Sequence, residues 1–318
     1  LAVEAQTPAL SRLAGGPTMG PARIAGRLTE VKPGWRFAGQ TQASNLDLGA
    51  YSLAQAAGPF EVTSKAGEWD VKTRLAGSGG RGTGLLAAAM GASPKASFEG
   101  ARLADGRLAL RELVLTGPGV KVEARGGRSL LGGLTFKGEA AISNLAAARR
   151  GAAGSASATW SASQSKAGQP WTLTADARGD RLATGYAEID RLLGARPQLK
   201  AQGNVQGRRV SVGSASLQGA ALKASTAGVL AADGGLTFKL DWSASGPFRA
   251  GPAEISGNAK GSGAITGTLS APRADLLADV DQIDVPRLPL KAAHVTLSFL
   301  RKPDGSSGMV ALAATSAY

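Results

Sequence analysis

The chain has 318 residues, 43% of them hydrophobic but only 5% aromatic, with 45 glycines and a formal charge of +13. Small side chains bury little apolar area each, which argues against one thick globular core and for an extended fold. Having no cysteine, the chain cannot form disulfides or Cys-based metal sites, and with one histidine it cannot form a His-pair metal site.

No window approaches eighteen unbroken apolar residues, so no transmembrane helix is expected, and no signal peptide is read. The first residue is Leu1 rather than Met, which makes a piece of a longer protein the expectation. The 36 Lys and Arg are scattered. That distribution fits solvated strand faces better than a nucleic-acid surface, which would need a basic patch with interleaved stacking aromatics.

In chain order, the turn signal Pro33-Gly34 precedes FAGQTQASNL (Phe37 to Leu46). WDVKTRL then puts Trp69, Val71 and Leu75 on one face, with Asp70, Lys72 and Arg74 on the other. GSGGRG (Gly77 to Gly82) satisfies G-x-G-x-x-G between a strand and the apolar run Leu85 to Met90. With 45 glycines such matches arise freely and no further βαβ units follow, so a loop at a module boundary is expected. LLAAAMG (Leu85 to Gly91) and NLAAARRG (Asn144 to Gly151) are short helix candidates. The longer one is DRLATGYAEIDRLLG (Asp180 to Gly194), with Leu182, Tyr186, Ile189 and Leu193 at helical spacing. Alternation resumes in GRLALRELVLTG (Leu108, Leu110), ASATWSAS (Trp160), WTLTADA (Trp171, Leu173), GRRVSVGSASLQG (Val210, Val212) and HVTLSF (Val295, Leu297, Phe299). Turn signals at Asp105-Gly106, Gly117-Pro118-Gly119, Asp233-Gly234-Gly235 and Pro303-Asp304-Gly305 join these strands into a meander.

The hexapeptide GGLTFK occurs at Gly132 to Lys137 and again at Gly234 to Lys239, 234 − 132 = 102 residues later. Phe37 is a third copy of its Phe, 99 residues before Phe136, and Pro94 corresponds to Pro197, 103 residues on. A period near 100 predicts three modules, 1–99, 100–201 and 202–318, in one continuous repeat sheet.

The predicted fold is therefore all-β: an elongated, strongly curved antiparallel sheet forming an open trough, with a few short helices at module junctions. At about 4.8 Å per strand, roughly twenty strands would run on the order of 100 Å. The candidate lining of an apolar groove is Trp69, Val71, Leu75, Leu108, Leu110, Trp160, Trp171, Leu173, Val210, Val212, Leu276, Val280, Val295, Leu297 and Phe299. Alternation alone does not distinguish such a groove from a filled sandwich core. His294 starts a strand and reads as a surface residue. Asp275, Asp279, Asp281 and Asp284 alternate with apolar residues and lack the Gly and Glu spacing of a calcium loop. No catalytic, metal or cofactor constellation emerges, and no enzyme is expected.

GSGAITGTLSAPRADLLADVDQIDVPRLPLKAAHVTLSF (Gly261 to Phe299) resembles the repeat of the TamB and AsmA-like envelope proteins, whose phrase G-x-[LIA]-x-G-T-L-x-x-P precedes a strand, an apolar kink and another strand. Gly263, Gly267, Thr268, Leu269 and Pro272 match the phrase; Val285, Leu288, Pro289 and Leu290 match the kink. PARIAGRLTEVKPGWRFAG (Pro21 to Gly39) fits more loosely. The resemblance implies a β-trough in the periplasm of a Gram-negative bacterium, anchored to the inner membrane. Such a trough would carry phospholipid acyl chains toward the outer membrane, assist outer-membrane protein assembly with a BamA-like barrel (TamA), or both. The anchor and the barrel contact would lie outside these residues. The alternative is a structural cell-surface repeat protein, an adhesin or autotransporter stalk, without lipid cargo. Scarce Asn and Thr ladders and the helices between modules speak against it.

Overall fold

Period-two alternation does produce strands: twenty-one of them, with two short α-helices, in a computed structural model that describes residues 1–7, 18–147, 151–250, 253–285, 288–302 and 305–316. The chain divides into two units, Leu1–Ala167 and Gly168–Tyr318.

The first unit contains β1 (Ala2–Thr7), β2 (Ala22–Val31), β3 (Gly34–Asp47), β4 (Tyr51–Lys65), β5 (Glu68–Ser78), β6 (Arg81–Gly82), α1 (Gly84–Met90), β7 (Lys95–Arg102), β8 (Leu108–Thr116), β9 (Val120–Arg128), β10 (Leu134–Ile142), a 3-10 turn (Leu145–Ala147) and β11 (Ala153–Gln164). Each long strand pairs antiparallel with the next, and β5 reaches β7 across α1 while β6 adds to the start of β4. The second unit contains β12 (Trp171–Ala183), α2 (Ala187–Leu193), β13 (Gln198–Gln206), β14 (Arg209–Gln218), β15 (Leu222–Leu230), β16 (Gly235–Ser245), β17 (Phe248–Ala250), β18 (Ala253–Thr268), β19 (Pro272–Val285), β20 (Leu288–Lys302) and β21 (Gly305–Ser316). Its order is again sequential, with β12 meeting β13 across α2 and β17 adding to the start of β18. Among the described residues no pairing joins the first strand of a unit to its last, so the all-β antiparallel fold is open rather than a barrel.

The period near 100 is visible atom by atom. The C-terminal glycines of α1 and α2, Gly91 and Gly194, have φ 64° and 67°. The Gly77 N–H donates to Pro94 at 2.7 Å, and the Gly179 N–H to Pro197 at 2.9 Å. A bulge in β8 around Arg111 has its counterpart in β14 at Gly213, 102 residues later. The expected module limits at 99/100 and 201/202 fall inside β7 and β13. Aligned markers fix a period but not where a unit begins.

Three expectations need correction. The segment Asp180 to Gly194 is helical only over Ala187–Leu193, because β12 runs on to Ala183. Asp190 then holds the bend before the helix by accepting from the Thr184 hydroxyl at 2.7 Å. NLAAARRG forms only the 3-10 turn, and its residues 148–150 lie outside the described residues. The kink expected at 285–290 is a hairpin that pairs Val285 with Leu288. Residues 286–287, and the turn signal at 303–304, lie outside the described residues.

Candidate functional site

Residues directly opposite each other in an antiparallel ladder share a face. In the first unit one such row runs Val62, Val71, Gly100, Leu110, Gly126, Phe136, Ala162. In the second unit a comparable row runs Leu240, Gly263, Leu276, Leu297, Val310. Tracing the registers this way puts all fifteen candidate lining residues on the apolar face of their own unit.

The face is built from rings lying over glycines. Phe37 covers Gly26, Phe136 covers Gly126 and Phe238 covers Gly228. A Cβ on those glycines would sit 2.8, 2.5 and 2.7 Å from a ring atom. Trp160 covers Gly138 and Trp242 covers Gly261 in the same way. The repeated GGLTFK thus places a ring over the neighbouring strand's glycine, the cover used in designed sheets to shield backbone at such positions. A ring laid flat leaves the lining smooth rather than filling the space above it.

The helices close one edge. Tyr51 is buried beside Ala89 and Met90 of α1, and its hydroxyl donates to the Gly91 carbonyl at 2.7 Å. In the second unit Leu192 of α2 packs on Ala244, Phe248, Ile255, Ala259, Val280, Ile283 and Ala293. Val280, only 4% exposed, therefore belongs to a sealed cluster, and Val295 packs against it. Val280 does not line open space, whereas Val295 is half-buried. Val71, Leu75, Leu110, Trp160, Trp171, Val210, Val212, Leu276 and Leu297 are half-buried, whereas a filled core would seal them. Trp69, Leu108, Leu173 and Phe299 are exposed, away from the helix-closed edges.

The opposite face is wet. Arg36 grips Glu61 with two 2.9 Å hydrogen bonds, Lys72 meets Glu99 at 3.3 Å, and Lys121 pairs with Glu123. One hollow of about 250 Å³ on this side is walled by Pro59, Lys72, Arg74 and Glu112. Exposed pairs of this kind, screened by water, contribute little, so the ladder and the apolar rows hold the structure together.

The weighed chemical sites resolve into structure. In GSGGRG the Gly80 N–H donates to Ala92 at 2.9 Å, and a Cβ there would lie 2.1 Å from the Tyr51 hydroxyl, so the glycine is packed rather than poised for a phosphate. Asp275 accepts from Arg273 and Ser298, and Asp279 from His294. Asp281 accepts from the Asn258 N–H, and Asp284 from Ser256 and Gln282. Among the described residues no group of His, Cys, Asp and Glu could hold a metal, and no helix is long and apolar enough to cross a membrane.

The sequence reading missed Leu113, Leu115 and Leu217, which also lie on the apolar face. The bulges at Arg111 and Gly213 shift the alternation by one residue, and only the charged Arg111-Glu112 pair inside an apolar run signals it. A scan with models of known families gives no match to this chain, and neither does a search of curated proteins.

Proposed function

We propose that the apolar face of each sheet is a seat for lipid acyl chains, and that the chain is a non-catalytic segment of a periplasmic bridge for phospholipid between inner and outer membranes. A role in outer-membrane protein assembly through a BamA-like barrel belongs to the same reading. So does an inner-membrane anchor outside these residues.

The observation that carries it is an apolar face left half-covered by the protein's own atoms. The chain exposes 19253 Å² of surface. Two separate globular bodies, each of half its 31.9 kDa, would together expose about 14,700 Å² by surface scaling. Apolar lining left in that condition is unfavourable in water at roughly 25 cal/mol per Å², and an acyl chain laid along it removes that penalty.

Native mass spectrometry of the protein purified in mild detergent is the test. Bound phospholipid is expected for the unaltered chain, and its loss in Val71→Arg and Leu297→Arg variants that keep their strand content. Lipid-free protein, or variants that retain lipid, would defeat the proposal.

A further inference from the structure

The rim of the first unit's apolar face carries a feature that its own repeat lacks. The last row of the face on the side away from α1 runs Trp69, Arg102, Leu108, Arg128, Leu134. The same row of the second unit runs Trp171, Val205, Val210, Leu230, Leu236. Register for register, Val205 stands where Arg102 does and Leu230 where Arg128 does. The sheet therefore does not need guanidinium groups at these places; there it is built equally well with aliphatic side chains.

The two arginines also lack protein partners. Arg23, Arg36, Arg107, Arg111, Arg178 and Arg273 all meet carboxylates on the polar face or in turns. Neither Arg102 nor Arg128 makes an ion pair or side-chain hydrogen bond among the described residues, and the row that holds them contains no acid. They flank Leu108 on adjacent strands, so their backbones stand about 10 Å apart.

The adjoining turn diverges in the same direction. Ser129 to Gly133 and Ala231 to Gly235 have the same hydrogen bonds, 2.8 and 3.0 Å in both. Yet the first presents Leu130 and Leu131, 64% and 83% exposed, where the second has Ala232 and Asp233.

We infer that Arg102 and Arg128 form a phosphate-binding rim, holding the headgroup of a lipid whose chain lies on the adjoining apolar face. This rests on the acyl-chain reading above and names the headgroup chemistry it selects. A guanidinium binds phosphate through paired N–H donors, and low surrounding polarity strengthens that contact. Leu130 and Leu131 extend the exposed apolar surface beyond the rim.

The test uses the whole chain, delipidated, and isothermal titration with two amphiphiles of equal chain length below their micelle concentrations. One is a lysophosphatidylglycerol and the other a monoacylglycerol. The variant is R102V/R128L, which installs the residues that the second unit already tolerates. The proposal expects the phosphorylated amphiphile to bind at least about tenfold more weakly to the variant, with the neutral one unchanged within about twofold. Unchanged affinity for the phosphorylated amphiphile, or an equal loss for both, would overturn it. Competition by millimolar inorganic phosphate alone would also overturn it, as a free-anion site. If the neutral amphiphile binds and the arginines make no difference, the acyl-chain seat stands and only the rim falls. If neither amphiphile binds the unaltered chain, both fall.

Discussion

At the scale of single residues, the ring-over-glycine contact does the most to shape the apolar face, and it makes opposite predictions for two glycines. A methyl group at Gly126 would lie 2.1 Å from the Thr135 carbonyl oxygen and 2.5 Å from the Phe136 ring. Gly126→Ala should therefore destabilise the first unit by about 1–3 kcal/mol. At the bulge residue Gly213 the nearest atom is 3.7 Å away, and Gly213→Ala should change stability by about 0.5 kcal/mol or less. Urea unfolding of both variants checks the contrast; equal effects would mean that the rings do not rest on the glycines.

Charge on the wet face yields a pH prediction. Hydrogen bonds from Arg273, then Ser298, hold the Asp275 carboxyl below the usual range. His294 does so for Asp279, and Ser256 then Gln282 for Asp284. Each group binds its proton more weakly when folded than unfolded. Its stabilisation is therefore present above the ordinary Asp pKa of about 3.9 and is lost as pH falls through the lower folded value. The urea midpoint of the second unit should drop below about pH 4. In Asp275→Asn that drop should be shallower, the two curves converging at the acid end. Parallel curves would show that Asp275 contributes nothing.

At the scale of elements, the helices act as edge closures seated on glycine. A Cβ at Gly117 would lie 2.5 Å from the Ala89 carbonyl oxygen of α1, and one at Gly219 would lie 2.6 Å from that of Leu192 in α2. Gly117→Val and Gly219→Val should each lift their helix, at a cost of about 1–3 kcal/mol. Hydrogen exchange should quicken in α1 or α2 while the strands away from that edge stay protected; unchanged helix exchange would contradict the seating.

Strands were legible because Trp69, Val71 and Leu75, or Trp171 and Leu173, alternate without interruption, and because Phe136 and Phe238 sit in identical text. Less was legible where tertiary contacts override local pattern. Leu182 fits a helical spacing but is held as strand in β12, because Gly179 pairs with Pro197 and Leu182 with Ala195. Val280 alternates as lining residues do, yet α2 and β17 fold over its end of the face. That closure depends on Leu192 and Phe248, both distant in sequence, so alternation could not distinguish it from open lining.

At the scale of the whole molecule, each unit has one wet face, one apolar face and an edge closed by a helix. The lining is half-buried in both units, and a guest chain is proposed to occupy it. The most direct measurement places a photo-crosslinking benzophenone side chain at Val71, Leu110 and Leu297 on the apolar face, and at Lys72 and Thr296 on the wet face. Irradiation in cells should attach lipid at the first three positions and none at the other two. Lipid adducts on both faces alike, or on neither, would contradict the claim.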